Sequence, residues 1–283
     1  GRGHVQAGAR DDALEGEGGD EKGEGEGGID LLEGGADDDT RDGGAGNDLL
    51  LGGAGDDKLS GCYGNDLFVG GKGDDVMALE CGDDVVLVNR DEGRDELRVG
   101  DYSTNVTLSL GGGIALDDLQ MHRDNDDLVI EIGQKATDAG CHHGEHQKRD
   151  LDQAIVFEDW YEGTAEGSEP SVTLQMVVEA REAFDATSSD PLLSHRIQQF
   201  DFTAMVKAYD NARRGAPEPD HWSVTEAALD AHIGASDTDA VGGELAYRDG
   251  VNGDIANVRT STLVAALGDR KFGSTSQSFT PGP

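Results

Sequence analysis

The chain has 283 residues, with 22 basic side chains against 59 acidic ones, a formal charge of −37, 43 glycines and 5% aromatic residues. That charge excludes nucleic acid and acidic membranes as partners, and its self-repulsion opposes compaction until counter-charge is supplied. No stretch is apolar over the roughly 18 residues a membrane span needs, and a hydrophobic content of 35% is low for a single compact core.

The start, Gly1-Arg2-Gly3-His4, is neither an initiator methionine nor a secretory leader and leads almost directly into repeats, so the chain is expected to be the C-terminal part of something longer. A nine-residue phrase then recurs in fixed register, with copies beginning at Ala7, Gly16, Gly25, Gly34, Gly43, Gly52, Gly61, Gly70 and, in fading form, Leu79. Its sixth position reads Asp12, Glu21, Asp30, Asp39, Asp48, Asp57, Asp66, Asp75 and Asp84, and its eighth reads Leu14, Gly23, Leu32, Arg41, Leu50, Leu59, Phe68, Met77 and Val86. Only Glu21, Gly23 and Arg41 break the two columns. Before Gly25 large apolar residues are scarce, and two readings stay open there: further repeat turns, or a solvated acidic linker. From Gly25 onward a linker has no reason to keep an apolar residue at every ninth place.

The plainest copies, Gly43-Gly44-Ala45-Gly46-Asn47-Asp48-Leu49-Leu50-Leu51, Gly52-Gly53-Ala54-Gly55-Asp56-Asp57-Lys58-Leu59-Ser60 and Gly61-Cys62-Tyr63-Gly64-Asn65-Asp66-Leu67-Phe68-Val69, resemble the repeats-in-toxin (RTX) family, whose nonapeptides bind calcium in a parallel β-roll. The physical logic agrees with the resemblance. Glycines at positive φ allow a sharp turn whose carbonyls converge, and the aspartate adds a charged oxygen. An all-oxygen set suits calcium, which accepts about 6–8 ligands with loose angular demands, better than magnesium with its strict octahedron. The last residues of each copy are extended, which sends the eighth side chain inward.

If two copies complete one coil, copies of like parity stack, and a calcium is expected between each turn and the one two copies on. One side then pairs Asp12 with Asp30, Asp30 with Asp48, Asp48 with Asp66 and Asp66 with Asp84, while the other pairs Asp39 with Asp57 and Asp57 with Asp75. The displaced phrase Asp91-Glu92-Gly93-Arg94-Asp95 offers Asp95 as a partner for Asp75. The resemblance implies about six to seven Ca²⁺ sites, completed by backbone carbonyls at positions two and four of the earlier turn and one and three of the later. For the turns at Gly43 and Gly61 these are Gly44, Gly46, Gly61 and Tyr63. Carried to the other turns, the set takes in Gly28, Gly43, Ala45, Gly52, Gly53, Ala54, Gly55, Gly64, Gly70, Gly71, Lys72 and Gly73. Glu21, Gly23, Asp37 and Arg41 all fall on one side, which is expected to bind calcium poorly near the N-terminus.

Beyond the repeats the grammar changes. Val106–Leu110, Asp127–Ile132, Ala154–Phe157 and Val172–Val178 read as strands. The phrases Leu116-Asp117-Asp118-Leu119, Asn125-Asp126-Asp127-Leu128 and Phe157-Glu158-Asp159-Trp160-Tyr161 resemble the β-flank that closes RTX rolls, a cap that a stacked coil requires to protect its last apolar face and strand edges. Cys141-His142-His143-Gly144-Glu145-His146 contains H-x-x-E-H, which on a helix would hold zinc. Gly140 and Gly144 break any helix, which favours an exposed hairpin loop over adventitious zinc binding or catalysis. With Cys62 and Cys81, Cys141 makes three cysteines, so not all can pair internally, and Cys62 and Cys81 sit in turns of like parity.

A helix capped by Asp201 is predicted through Phe202, Met205, Val206, Tyr209 and Ala212, a second after the Ser223-Val224-Thr225-Glu226 capping box with Trp222 before it, closed by Gly234, and a third from Thr260 to Leu267. Ser236-Asp237-Thr238-Asp239-Ala240-Val241-Gly242-Gly243 is similar to a phrase of large RTX exoproteins and adhesins, and the polar tail from Phe272 to Thr280 to an uncleaved type I secretion signal.

The sequence therefore predicts a mainly β protein: a calcium-bound β-roll over 1–98, a β-rich capping flank over 99–180, and a small α/β region over 181–283 carrying the secretion signal. The resemblance implies a secreted, non-enzymatic folding and secretion module of a bacterial toxin, adhesin or exoenzyme, with the type I machinery as partner and host-cell contacts, like any catalytic activity, upstream of Gly1. A different reading is an adhesive domain in which Trp160, Tyr161, Trp222 and the histidine loop make contacts.

Overall fold

The computed structural model describes residues 3–133, 153–162, 170–178, 184–189, 192, 194–215, 224–252, 255, 260–269 and 271–278. Ten strands form the repeat region: β1 (His4–Gly8), β2 (Ala13–Glu15), β3 (Lys22–Glu26), β4 (Leu31–Ala36), β5 (Thr40–Ala45), β6 (Leu49–Ala54), β7 (Lys58–Tyr63), β8 (Leu67–Lys72), β9 (Val76–Val88) and β10 (Arg94–Leu110). Odd strands pair in parallel with odd, and even with even: Thr40 faces Lys58, which faces Val76, while Leu31 faces Leu49, which faces Leu67. The result is an alternation of turn and strand along a parallel solenoid, two nonapeptides to the coil. The tract before Gly25 belongs to it, with β1 on β3 and β2 on β4.

Strand β9 is longer because it serves both sides, facing β7 through Val76–Ala78 and Cys81 and β8 through Val85–Leu87. Strand β10 repeats this on β9 with a bulge between Val99 and Asn105. Each side then passes into an antiparallel flank. One side continues through β13 (Ala154–Phe157), β12 (Asp127–Ile132) and β11 (Leu119–Asp124), and the other through β14 (Val172–Val177), β15 (Ile197–Asp201) and β16 (His232–Ser236). Antiparallel pairing ends the stack without another coil, and β10 carries the sheet unbroken across residue 98.

The eighth-position column points inward as alternation requires: Leu32, Leu50, Phe68, Met77 and Val86 have no exposed surface. That column is continuous with the flank core, where Ile155, Phe157, Leu174, Met176 and Phe200 meet Met205, Val206 and Tyr209 of α1 (Phe202–Gly215) and Val224 and Ala228 of α2 (Val224–Ala231). The α1 start is capped as expected, with the Ala204 N–H donating to Asp201 Oδ1 at 2.9 Å.

Three elements depart from expectation. Gly234 lies inside strand β16 rather than closing α2, because the segment after Ala231 is drawn into pairing with β15. Strand β15, whose Gln198 and Gln199 disguise its apolar alternation, and α3 (Gly243–Asn252) have no counterpart in the predicted elements. Trp160 is only 4% exposed and packs edge-on to Phe157 and Phe202, so it is a core residue and no surface contact. Trp222 and Ser223 lie outside the described residues.

The two outer faces of the roll differ. On the even side the seventh and ninth positions are apolar from Leu49 onward, and Leu49, Leu51, Leu67, Val85 and Leu87 are covered by Leu245 of α3, Ile255, Leu267 of α4 (Thr260–Leu267) and Phe272. Asn47 and Asn65 fasten this cover, donating amide N–H groups to the carbonyls of Leu267 at 2.7 Å and Phe272 at 2.5 Å. Gly273, at φ 78°, lies against the Asp83 carbonyl where no side chain fits. A short ribbon of β17 (Asp239–Ala240) and β18 (Gln277–Ser278) ties down the end. On the odd side the same outward positions are polar at Thr40, Asp42, Lys58 and Ser60 and turn apolar only at Val76 and Ala78, next to the flank.

Because Phe272 is fully enclosed in this cover, Phe272→Ala is expected to cost about 3–5 kcal/mol locally. Hydrogen exchange should show amides of Leu267–Thr275 losing protection while those of β6 and β8 keep it, and equal loss in both would mean that cover and roll open as one unit.

Candidate metal centre

Each turn of the roll takes its shape from left-handed backbone at positions two and four of the nonapeptide. Gly46, at φ 140°, stands so close over the Gly28 carbonyl that a Cβ would collide with it, and Gly64, Gly73 and Gly82 repeat this over Gly46, Gly55 and Gly64. Three non-glycine residues occupy such positions, Glu26 (φ 69°), Asp37 (φ 74°) and Cys62 (φ 66°), so the stack holds the conformation even where the residue disfavours it. The position-four carbonyls of one turn, and those of position two such as Gly35 and Gly53, thus point into the gap before the next turn on that side. From the far turn, the position-one carbonyls of Gly43, Gly52 and Gly70 point back toward Gly25, Gly34 and Gly52. The position-three carbonyls of Ala45, Tyr63 and Lys72 each accept one N–H from position four of the earlier turn, at 2.8–3.0 Å.

Into each gap also come two carboxylates. The backbone N–H of Asp12 donates to Asp30 Oδ1, that of Asp30 to Asp48, that of Asp48 to Asp66 and that of Asp66 to Asp84, all at 2.8–2.9 Å. On the other side Glu21 donates to Asp39, Asp39 to Asp57, Asp57 to Asp75 and Asp75 to Asp95, at 2.7–3.2 Å. The sequence-derived pairs, including the displaced Asp95, are therefore brought together in space. The second oxygen is left over: Oδ2 of Asp30, Asp39, Asp48, Asp57 and Asp75 is buried with no hydrogen-bond partner.

A buried carboxylate oxygen without a donor is costly, and the electrostatics register it. Burial pushes the carboxyls of Asp30 and Asp75 up to about 6, those of Asp48, Asp57 and Asp84 to about 7, and those of Asp66 and Asp95 to about 9. Neighbouring aspartates add to the rise, Asp84 beside Asp66 and Asp75 beside Asp95. A cation among converging carbonyls and two such oxygens relieves the burden directly. Among the described residues no group of three or more His, Cys, Asp or Glu side chains is arranged to hold a metal ion by itself, so any such ion must draw on main-chain oxygen. That donor set fits a hard divalent cation with flexible coordination. Calcium bound there would supply the missing positive charge, and Asp30, Asp48, Asp66 and Asp84 on one side and Asp39, Asp57, Asp75 and Asp95 on the other are the residues placed to hold it.

Asp12 is at the half-exposed end of its ladder, and the side chain of Tyr63 is 68% exposed, leaving only its carbonyl at the turn. Cys62 and Cys81 are free thiols, Cys62 lying 3.4 Å from Ser60 Oγ and from Asp42 Oδ1. The Cys141–His146 motif lies outside the described residues. A second ladder went unread in the sequence although its signal was there: the fifth position is Asp or Asn in every copy except that of Ile29. Asp38, Asp56 and Asp74 accept the N–H groups of Asp56, Asp74 and Arg94 at 2.9 Å, and Asn47 and Asn65 those of Asn65 and Asp83 at 2.9 and 3.0 Å.

The raised carboxyls set a pH dependence for the metal-free chain. Folding holds protons that the unfolded chain releases near pH 4, so the stabilisation of the protonated roll is full below about pH 4 and is lost as pH rises from there through the folded-state values of about 6 to about 9. Circular dichroism of calcium-free protein should show β-structure at pH 4–5 that fades toward pH 9, and structure gained on raising the pH would contradict the buried-carboxylate account. With calcium, which takes the ionised form, the midpoint concentration should instead rise as pH falls.

No curated protein is similar enough to the chain to count as a match. The family model of the RTX calcium-binding nonapeptide repeat matches in overlapping copies over residues 1–32, 15–50, 24–59, 42–77 and 51–86. It covers the turns whose oxygens converge in the structure up to residue 86, leaving out the displaced last one that carries Asp95. Residues 1–86 are accordingly an array of RTX calcium-binding nonapeptide repeats, wound as the β-roll of that family.

Proposed function

We propose that this RTX module is a calcium-driven folding and secretion module of an exoprotein, unfolded where free calcium is scarce and folded where it is millimolar. The carrying observation is the row of buried, unpartnered Oδ2 atoms in a chain of formal charge −37. Without a counter-ion these carboxylates oppose the fold, and an unfolded chain can be threaded through a type I channel. The tail from Phe272 is the part we assign to recognition by that machinery, before it packs against the roll. No helix among the described residues is long and apolar enough to cross a membrane. The adhesive reading loses its first contact residue, since Trp160 is buried.

The test is circular dichroism with and without chelator. The chain is expected to gain β-structure cooperatively between roughly 0.1 and 1 mM calcium, the range of extracellular modules, with magnesium a poor substitute. A spectrum indifferent to calcium would refute the proposal. The flank should act as the template, because the first coil of a stack is the costly one and β10 presents a ready edge to β9. A chain truncated after Leu87 should therefore stay unfolded at millimolar calcium, and an unchanged calcium midpoint would make the flank a passenger.

A further inference from the structure

The three residues that break the repeat columns meet at one place. Arg41, at an inward position filled elsewhere by Leu, Phe, Met or Val except at Gly23, is only 3% exposed. Its stem lies over Gly23, where a Cβ would sit 3.2 Å from Arg41 Cδ, so the missing side chain of the coil below makes the room. Its guanidinium turns back to the turn. Nε and Nη2 donate to the Glu33 carbonyl at 3.3 and 3.1 Å, Nη2 also to the Gly34 carbonyl at 3.3 Å, and Nη1 to the Thr40 carbonyl at 3.2 Å. Nη2 stands 3.7 Å from Glu21 Oε2 and 3.9 Å from Asp39 Oδ1.

This is the gap between the turns beginning at Gly16 and Gly34, and it can be compared with its neighbours through the inner face of the first glycine. At Gly34 and Gly52 that face meets the sixth-position Oδ2, at 2.8 and 2.5 Å from a Cβ, and the carbonyl of Gly52 or Gly70. At Gly16 it meets the same set, Glu21 Oε2 at 2.6 Å and the Gly34 carbonyl, and in addition Arg41 Nη2 at 2.6 Å. The oxygens match those at Gly25, Gly34 and Gly52, and the nitrogen is the one addition.

We infer that the Arg41 guanidinium is the resident cation of this gap, standing where the other gaps are built for calcium, so that the gap between Glu21 and Asp39 takes no calcium ion. A buried arginine requires paired charge and satisfied donors, and this one has two carboxylates and three carbonyls. Glu21 in place of aspartate, Gly23 in place of a large apolar residue and Arg41 are thus one complementary set rather than three separate losses of consensus. A tethered cation supplies positive charge to this gap at any calcium concentration.

The inference rests on the calcium reading of the remaining gaps, and counting bound ions by native mass spectrometry at saturating calcium separates the two. Asp57 borders two calcium gaps and Asp39 borders one calcium gap and the arginine gap. Asp57→Ala is expected to lose two ions and Asp39→Ala one. Loss of two ions from Asp39→Ala overturns the inference while leaving the calcium reading intact, whereas a wild-type chain with no bound calcium fails the calcium reading itself. Arg41→Leu combined with Glu21→Asp restores the consensus and should add one ion per chain. An unchanged count in that variant, with wild-type circular dichroism, also overturns the inference, and if it does not fold the Asp39 comparison decides.

Discussion

One contact carries the roll: an aspartate, such as Asp48, Asp57 or Asp75, whose Oδ1 accepts the backbone N–H of the aspartate eighteen residues earlier, while its Oδ2 is buried without a donor. The first half of the contact sets the register of the stack. The second half makes the stack conditional, because a carboxylate that is held but not neutralised raises the free energy of the state that holds it. Regular backbone pairing alone would give a solenoid of ordinary independence. Placing an ionisable group at each coil's turn ties every coil to the supply of protons or cations.

What offsets that burden lies between the sheets. The inward column from Leu50 to Val86 runs without a break into a flank core that contains Phe157, Trp160, Phe200 and Phe202. In a nearest-neighbour stack each coil is stabilised chiefly by the coils on either side, so the large aromatic core at one end is a fixed boundary from which order extends. Toward the N-terminus the column thins to Leu14, Gly23 and Arg41, and the odd side there relies on polar contacts instead. Stability along the axis is therefore graded by side-chain volume as well as by charge.

The roll was legible because its rules are local and repeated: parity, inward column and aspartate pairs all follow from a period of nine, and even Asp95 could be placed by its displaced phrase. The individual flank strands were legible by their β-branched runs. What could not be read was pairing across long separations. Strand β15 holds Gln198 and Gln199, Gly234 looked like a helix end, and Trp160 looked like a surface aromatic, until packing against Phe157 and Phe202 is known. Arg41 shows the limit most clearly. As a letter in a column it is a defect, and only the space above Gly23 and the carbonyls within its reach give it a role.

The fifth-position ladder bears on why the cover sits where it does. On the open side that ladder is aspartate at 38, 56 and 74, and its carboxylates only accept hydrogen bonds. On the covered side positions 47 and 65 are asparagine, whose oxygen accepts the same backbone N–H while its amide donates outward to Leu267 and Phe272. A carboxylate there would face a carbonyl with no proton between them. The change of one residue type thus removes a charge from a face about to be buried and supplies the donor its partner needs, just where the flanking positions turn apolar at Leu49, Leu51 and Leu67. Because that face exists only when β4, β6 and β8 are in register, the C-terminal segment has nothing to dock on until the aspartate ladder beneath it has formed.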